Sequence, residues 1–272
     1  MTQTIASLEG FVRKIRQVTA ANDEVLLYRG HSDRVNFRLV PSVLREAKYR
    51  HAEHQILREL VASHPGEFAG DGTTLEQLAR VQHYSLPTRL LDVTWNPLAS
   101  LYFAAKDDKG KPGEVIVFRV KQRLVKYYDS DTASCIANLA HLSNAEKSAI
   151  DFGLAGTAFN EQAPVDRLLQ FIRAEKPHFR SEIDPAHLQT AVVVKPKLNN
   201  RRILAQSGAF LLLGQNVDLE NAPPAGIAVE RLHINGNKKQ TICDELDRMA
   251  INDSSMFPEI EKAAIYIKSK LS

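Results

Sequence analysis

Hydrophobic positions in the first half of the chain recur mostly at helical spacing. Between residues 8 and 18 they lie three or four residues apart, which predicts a helix that is capped by Thr4 or Ser7 and runs to about residue 20. Residues 41 to 63 continue this spacing with many Arg and Glu side chains, and TTLEQLARVQHY predicts another capped helix. The N-terminal half is therefore expected to be mainly helical.

Apolar runs rich in β-branched residues predict strands. EVLLYRG predicts a short buried strand that ends at Gly30. SLPTRLLDVT predicts an irregular loop or short strand before a helix that starts at Asn96-Pro97, because proline is favourable in a first helical turn. The later predicted strands are GEVIVFRV, LQTAVVVKP, RILAQSGAFLLLG and AGIAVERLHI.

These elements predict a mixed α+β fold rather than a regular alternation of strand and helix. Residues 129 to 175 have a polar, helical pattern, which fits a single domain over residues 1–272 with a helical insertion at about 129–185. The tail from KKQTICDEL onward predicts two short helices joined around Phe257-Pro258.

The composition is that of an ordinary soluble globular protein. The 272 residues are 44% hydrophobic and 25% charged, and a net charge of +3 is too small to predict nucleic-acid binding by itself. Cys135 and Cys243 lack companions at metal-ligand or redox spacing, so we expect neither a disulfide nor a metal site. The absence of a signal-peptide pattern and of a long apolar segment predicts a cytoplasmic protein without a membrane partner.

The densest group of polar residues lies in RVQHYSLPTRLLDVTWNPLASLYFAA, between a predicted helix and an apolar stretch. Its polar members are Gln82, His83, Tyr84, Thr88, Arg89, Asp92, Thr94 and Asn96. The group could satisfy itself, with Arg89 paired to Asp92 and with Thr94 or Asn96 capping the next helix. It could equally form a ligand site, and composition alone leaves both interpretations open.

Two further polar residues interrupt apolar strands. Arg29 carries a permanent charge at the end of the first predicted strand, and Gln206 lies at the centre of a later one. Arg29 could be a buried structural partner of Asp92, because a desolvated, unpaired guanidinium is costly. Gln206 could belong to a bulge at Gly208. Both residues are also candidates for a binding site.

Four stretches of the sequence together resemble the FRG domain family, which is named for an aromatic-Arg-Gly motif. Tyr28-Arg29-Gly30 matches that motif, with tyrosine in place of phenylalanine. The stretches lie at both ends and in the middle of the chain, so the resemblance covers nearly all of it. They are YRGHSDRVNFRLVPSVLRE, QHYSLPTRLLDVTWNPLASLYFA, RRILAQSGAF and DELDRMAINDSSMFPEIEKAAIYI.

The order of these motifs is similar to that of mono-ADP-ribosyltransferases of the Arg-Ser-Glu type, which implies a split, mainly antiparallel β core. In those enzymes an arginine ends the first strand, a Ser/Thr motif precedes a helix, and a glutamate follows on a later strand. Arg29 matches the first element, Asp92 and Thr94 match the second, and Gln206 falls near the third. The resemblance therefore implies NAD as the substrate.

The same resemblance implies roles for individual residues. Arg29 would bind the pyrophosphate of NAD, Thr94 would brace the site, and Gln206 would orient the ribose or the acceptor. Gln206 carries no charge where the family pattern has a carboxylate, and Asp92 is the nearest carboxylate that could replace it. The other implied NAD-binding residues are Tyr28, Gly30, His83, Tyr84, Arg89, Asp92 and Trp95. An aromatic ring among them could stack on nicotinamide.

The implied function is that of an NAD-dependent effector, such as a toxin or a phage-defence protein, that modifies a protein or a nucleic acid. The alternative is a non-catalytic module in which Arg29, Arg89 and Gln206 bind a nucleotide, a nucleic acid or an acidic protein segment. A third interpretation places all three residues in the core, where loss of Arg29 would leave a buried carboxylate unpaired. The sequence specifies neither the acceptor nor the oligomeric state, and it leaves open whether the protein is an enzyme.

Overall fold

The strands of the protein form one seven-stranded sheet. A computed structural model describes residues 4–197 and 201–259, together with residues 264, 266 and 268. The strands are β1 (Glu24–His31), β2 (Leu90–Thr94), β3 (Gly113–Lys121), β4 (Val125–Tyr127), β5 (Ala191–Lys195), β6 (Gly208–Leu213) and β7 (Ile227–Ile234). Their order across the sheet is β4-β5-β6-β2-β1-β3-β7, and the β4–β5 pair is parallel while the others are antiparallel. The predicted α+β class with a mainly antiparallel core is confirmed.

The sheet is split between β1 and β2. Within the described chain, the pairing of these strands is limited to Tyr28 opposite Thr94. By contrast, β1 pairs with β3 along its whole length, and β2 pairs with β6 along its whole length. The sheet therefore has two well-paired parts, β4-β5-β6-β2 and β1-β3-β7, that meet at one residue pair.

The helices surround this sheet, and several begin where the sequence predicts. Ser7, Thr73 and Asn96 each accept a backbone N–H with their side chain and cap the first, fifth and sixth helices. The helices of the described residues are α1 (Leu8–Ile15), α2 (Ser42–Arg45), α3 (Ala47–Ser63), α4 (Pro65–Phe68), α5 (Thr74–His83), α6 (Pro97–Ala105), α7 (Asp131–Asn138), α8 (Asn144–Ser148), α9 (Gly156–Asn160), α10 (Ala163–Glu175), α11 (Pro185–Leu188), α12 (Arg201–Ala205), α13 (Lys239–Asp247) and α14 (Asp253–Met256).

The polar region after β4 is helical, as its pattern predicts. Helices α7 to α11 all lie between β4 and β5 in the chain, and their apolar faces pack into the larger of two hydrophobic clusters. The smaller cluster joins β1, β3 and β7 to α1, α6 and α13. The partition into a single domain over residues 1–272 stays a prediction.

The prediction of one continuous strand over RILAQSGAFLLLG is wrong. Its first part forms α12, and the backbone N–H of Gln206 donates to the carbonyl of Arg202 at 3.0 Å, as at a helix end. Ser207 has a φ of 47°, a left-handed conformation that redirects the chain into β6. Short apolar runs do not distinguish helix from strand by periodicity. Arginine, leucine and alanine at the start of this run favour the helix.

Two smaller differences concern the loop before α5 and the tail. The predicted loop SHPGEFAGDGTT contains the one-turn helix α4. In the tail, both α13 and α14 precede Phe257, and the helix predicted after Pro258 lies largely outside the described residues. None of the helices in the described chain has the length and apolar character that crossing a membrane requires.

Candidate functional site

The candidate site lies where β1 and β2 separate, beside the guanidinium of Arg29. Nη1 of Arg29 donates to the backbone carbonyl of Asp92 at 2.7 Å, across the split in the sheet. Nε donates to Nε2 of His31 at 3.1 Å. Among the described residues, Nη2 has no hydrogen-bond acceptor. The guanidinium is therefore fixed by two acceptors and retains N–H donors for a further partner.

The charge of Arg29 is not neutralised by a direct ion pair. No carboxylate oxygen of the described residues lies within 4.0 Å of its nitrogen atoms. Burial lowers the pKa of Arg29, the nearby Asp92 carboxylate raises it, and the charge of Arg45 lowers it again. Arg45 itself donates from Nε to the carbonyl of Val40 at 2.9 Å. The effect of the Asp92 carboxylate on this pKa is larger than that of Arg45.

A cleft opens next to Asp92 on the side of α5 and α12. Arg29 is not among its lining residues and borders it through the backbone carbonyl of Asp92. Its inner part is a cavity of about 80 Å³, and its outer part is a cavity of about 520 Å³. The polar residues that line the inner part are Gln82, His83, Asp92, Arg202 and Gln206. Both parts are lined by Ala79, His83, Arg202, Ile203 and Phe210. We call the two together the α5–α12 cleft, and their size lies in the range of roughly 300–1,000 Å³ that is typical of small-ligand sites.

Thr94 and Gln206 lie together, but their polar side-chain groups are already engaged. The hydroxyl of Thr94 donates to the backbone carbonyl of Gln206 at 2.6 Å and accepts the backbone N–H of Asn96 at 2.9 Å. The side-chain amide of Gln206 donates to the carbonyl of Met256 at 2.9 Å. These bonds tie β2, the end of α12 and α14 to one another. Thr94 therefore braces the chain beside the cleft, and Gln206 lines its inner part.

Two polar atoms at the cleft are buried and lack partners among the described residues. They are Nδ1 of His83 and Oε2 of Glu259, and both residues line the outer part of the cleft. Buried polar atoms are almost always hydrogen-bonded, so such atoms at a cavity indicate where a ligand could bind. Glu259 is not among the site residues predicted from the sequence, although it lies in the stretch SMFPEIE of the fourth motif.

Arg89 does not reach the cleft. It is 3% exposed and forms a bidentate ion pair with Glu53, with nitrogen–oxygen distances of 2.7 and 2.5 Å. Lys147 donates to the same carboxylate at 2.6 Å. The expected partner Asp92 is exposed and points elsewhere. Arg89 is therefore a core residue, because the buried Glu53 requires a positive charge.

The aromatic candidates are dispersed. Tyr28 is 5% exposed and belongs to the smaller hydrophobic cluster, and strand alternation directs it away from the face of Arg29. Trp95 is half-buried, with Nζ of Lys195 5.5 Å from its ring centre. Tyr84 is 47% exposed at the outer part of the cleft and donates its hydroxyl to Glu67 at 3.0 Å. Of the three, only Tyr84 lines the cleft as the structure describes it.

Gly30 is required by helix packing. A Cβ atom at this position would lie 2.1 Å from the carbonyl oxygen of Ser100 and 2.6 Å from the backbone nitrogen of Ala104. Both atoms belong to α6, which crosses β1 at this point. The close approach that Gly30 permits is therefore that of α6, and not that of a ligand.

Replacing Gly30 with alanine should strongly destabilise the protein, because the new methyl group would overlap backbone atoms that cannot rotate away. We expect the free energy of unfolding, measured by urea denaturation, to fall by about 1–3 kcal/mol or more. Gly66 in α4 is a matched control, because a Cβ there meets no atom within 4 Å. Equal stability of G30A and G66A would contradict the described packing of α6 on β1.

The comparison with protein families gives a match at this site. Residues 24–112 match the model of the FRG domain. The chain carries an FRG domain. The matched range runs from β1 past the end of α6, so it contains Arg29, Asp92 and Thr94. Gln206 and the tail motif lie beyond it. In the comparisons with curated proteins and with solved structures, no match to the chain was found.

The FRG domain therefore supplies only part of the α5–α12 cleft. It contributes His83 and Asp92, whereas Arg202, Gln206 and Glu259 come from the chain that follows. The match identifies a family and no activity. What the cleft can do follows from its charge and its unsatisfied donors and acceptors.

Proposed function

We propose that this FRG-domain protein binds NAD in the α5–α12 cleft and transfers ADP-ribose from it to a macromolecule. The observation that carries the proposal is the guanidinium of Arg29, which has free donors and no ion pair among the described residues. It lies near the end of the first strand of a split, mainly antiparallel sheet. This is where ADP-ribosyltransferases of the Arg-Ser-Glu type have their arginine. Asp92 and Thr94 follow on the neighbouring strand, and Gln206 precedes β6.

A phosphate-bearing ligand would bring negative charge to the guanidinium of Arg29. The pyrophosphate of NAD carries negative charge on oxygens that can accept two N–H bonds from one guanidinium. The negative charge of the ligand would also offset the repulsion between Arg29 and Arg45. Because Arg29 is partly withdrawn from water, each such bond would be stronger than on the surface.

The transfer would break the N-glycosidic bond between nicotinamide and C1′ of the ribose. The bonding electrons leave with nicotinamide, and a nucleophile of the acceptor forms the new bond to C1′ and loses its proton. The transition state resembles an oxocarbenium ion, which a carboxylate stabilises. Gln206 cannot supply that charge.

Asp92 is our choice for this carboxylate. Its side chain is exposed at the inner part of the cleft, and its own backbone carbonyl holds Arg29. Glu259 is a further carboxylate at the cleft, with one buried oxygen that lacks a partner among the described residues. Asp71 and Glu76 also line the cleft, but they form ion pairs with Arg80 and Lys197. Replacing each with its amide, D92N and E259Q, separates the two, since both changes preserve shape and remove charge.

Incubating the purified protein with NAD labelled in its adenylate part tests the proposal, with a broad lysate and total nucleic acid as acceptors. We expect label on protein or nucleic acid, release of nicotinamide, and a reduction of both of about 100-fold or more in D92N. The acceptor class would distinguish a protein-directed from a nucleic-acid-directed effector, such as a toxin or a phage-defence protein. No transfer, no nicotinamide release and no binding of NAD would refute the proposal.

The hydrogen bonds that Thr94 and Gln206 already form with the backbone favour a second function. Because their polar groups already bond to the backbone, and because Gln206 has no charge, the cleft could bind a nucleotide without cleaving it. This non-catalytic module would bind NAD and release no nicotinamide, in the wild type and in D92N alike. The same assay therefore separates the two functions.

A further inference from the structure

Arg29 is not held by the sheet alone, because a buried histidine accepts its Nε–H. His31 lies two residues further along β1, on the same face, and is 2% exposed. The distance between Nε of Arg29 and Nε2 of His31 is 3.1 Å. An arginine Nε always carries a proton, so Nε2 of His31 must be unprotonated to accept it.

The second nitrogen of the same ring is fixed from the other side. Nδ1 of His31 lies 3.1 Å from Oε1 of Glu114, a 2% exposed residue on the neighbouring strand β3. Glu114 in turn accepts Nη1 of Arg231, on β7, at 2.5 Å. Since Glu114 is ionised, Nδ1 is the donor, and the ring is the neutral tautomer with its proton on Nδ1.

The electrostatic surroundings favour this neutral ring. Burial lowers the pKa of His31, the hydrogen bond to Glu114 raises it, and the charges of Arg29 and Arg231 lower it. Phe37 covers the ring edge, with the two ring centres 5.9 Å apart. The two hydrogen-bond contacts and the lowered pKa together favour a neutral His31 ring with its proton on Nδ1.

We propose that His31 is a positioning residue for Arg29, which fixes the plane of the guanidinium so that its remaining donors face the site of the phosphate. Glu114 and Arg231 hold the histidine, and the histidine holds the arginine. The inference rests on the proposed function, because it assigns Arg29 an anionic ligand. It also makes a claim about the protein without ligand, namely the N–H···N bond between Arg29 and His31.

The claim about the free protein is testable by nuclear magnetic resonance on the ¹⁵N-labelled full chain. We expect a slowly exchanging Nε–H resonance for Arg29, with a scalar coupling to Nε2 of His31, and ¹⁵N shifts typical of the Nδ1-protonated ring. A His31 ring protonated on Nε2 at neutral pH would overturn the proposal, because such a ring cannot accept the bond.

The claim about the ligand is testable with NAD and, separately, with inorganic pyrophosphate as the probe. H31L removes the acceptor, and we expect the affinity for either probe to fall about tenfold or more, since hydrogen bonds to charged groups are strong. H31Q should restore most of the loss, because a glutamine amide can accept from Arg29 and donate to Glu114. Equal weakening by H31L and H31Q, at equal melting temperatures, would overturn the positioning role.

A matched control uses another contact between an arginine and a histidine ring. Nη1 of Arg34 lies 3.2 Å from Nδ1 of His233, which is on β7 and outside the cleft. H233L should leave both affinities unchanged. If the wild type binds pyrophosphate but not NAD, the proposed function fails and the role of His31 is still decided by H31L and H31Q. If the wild type binds neither probe, both proposals fail.

Discussion

Replacing Glu53 with alanine should cost the protein about 3–5 kcal/mol of its free energy of unfolding, because two positive charges would remain buried without a partner. Arg89 is 3% exposed and Lys147 is 8% exposed, and both bond to the Glu53 carboxylate. Native domains are stable by only about 5–15 kcal/mol. Glu53→Ala should therefore leave a small margin of stability, measured by urea denaturation.

The exposed ion pair of Glu9 with Arg13 provides the control. Both side chains are largely solvated, so Glu9→Ala should leave the unfolding curve nearly unchanged. An equally small effect of Glu53→Ala would contradict the buried triad. The triad connects α3, the residue that precedes β2, and α8, so its loss should also loosen the helical region between β4 and β5 from the FRG domain.

The pH dependence of stability gives a second measurement of the same triad. Burial alone would raise the pKa of Glu53, but the charges and hydrogen bonds of Arg89 and Lys147 lower it to about 2. A carboxylate with a lowered pKa stabilises the fold fully above its ordinary value of 4.5. This stabilisation is lost as the pH falls from there through about 2. Glu53→Gln should show a smaller loss of stability over that window than the wild type.

Much of the secondary structure was predictable because the hydrophobic pattern is regular in those segments. The caps at Ser7, Thr73 and Asn96 and the strands GEVIVFRV and AGIAVERLHI all occur as predicted. The pattern failed at RILAQSGAFLLLG, where the left-handed Ser207 separates a helix from a strand. A backbone conformation at one polar residue leaves no periodic signal.

The candidate site was predictable only in part. Arg29 contacts the backbone of Asp92 and Thr94 contacts the backbone of Gln206, but only Asp92 and Gln206 line the α5–α12 cleft. Their joint role in a site stays a prediction. Partners that come from distant elements were not visible, because a sequence pattern does not show which side chains face each other. Glu53 is 36 residues from Arg89, and Glu259 enters the cleft from the tail. His31 was overlooked although it directly follows Tyr28-Arg29-Gly30.

Replacing Arg29 with alanine should abolish NAD binding without unfolding the protein. We expect R29A to remain folded because no carboxylate of the described residues lies within 4.0 Å of the guanidinium, so none would be left unpaired. The change would leave one carbonyl and one imidazole nitrogen without a donor, which costs about 1–3 kcal/mol each at most. Truncating one partner of a buried charged contact typically weakens binding by about 2–5 kcal/mol, or roughly 30- to 5,000-fold.

Arg29→Lys refines this expectation. Lysine keeps the charge but loses the planar pair of donors, so we expect NAD affinity between that of the wild type and that of R29A. Arg58 provides the matched control, because its guanidinium also donates to two acceptors, the backbone carbonyls of His54 and His141, and lies away from the cleft. Unfolding of R29A would instead support a purely structural role for Arg29.

The most direct test of the account is a calorimetric titration of NAD into the wild type, R29A and R58A, each shown to be folded by its melting curve. We predict saturable binding at one site in the wild type and R58A, and binding at least about 30-fold weaker in R29A. Absence of binding to the wild type, or equal affinity of R29A and the wild type, would contradict the assignment of the α5–α12 cleft and Arg29 to NAD.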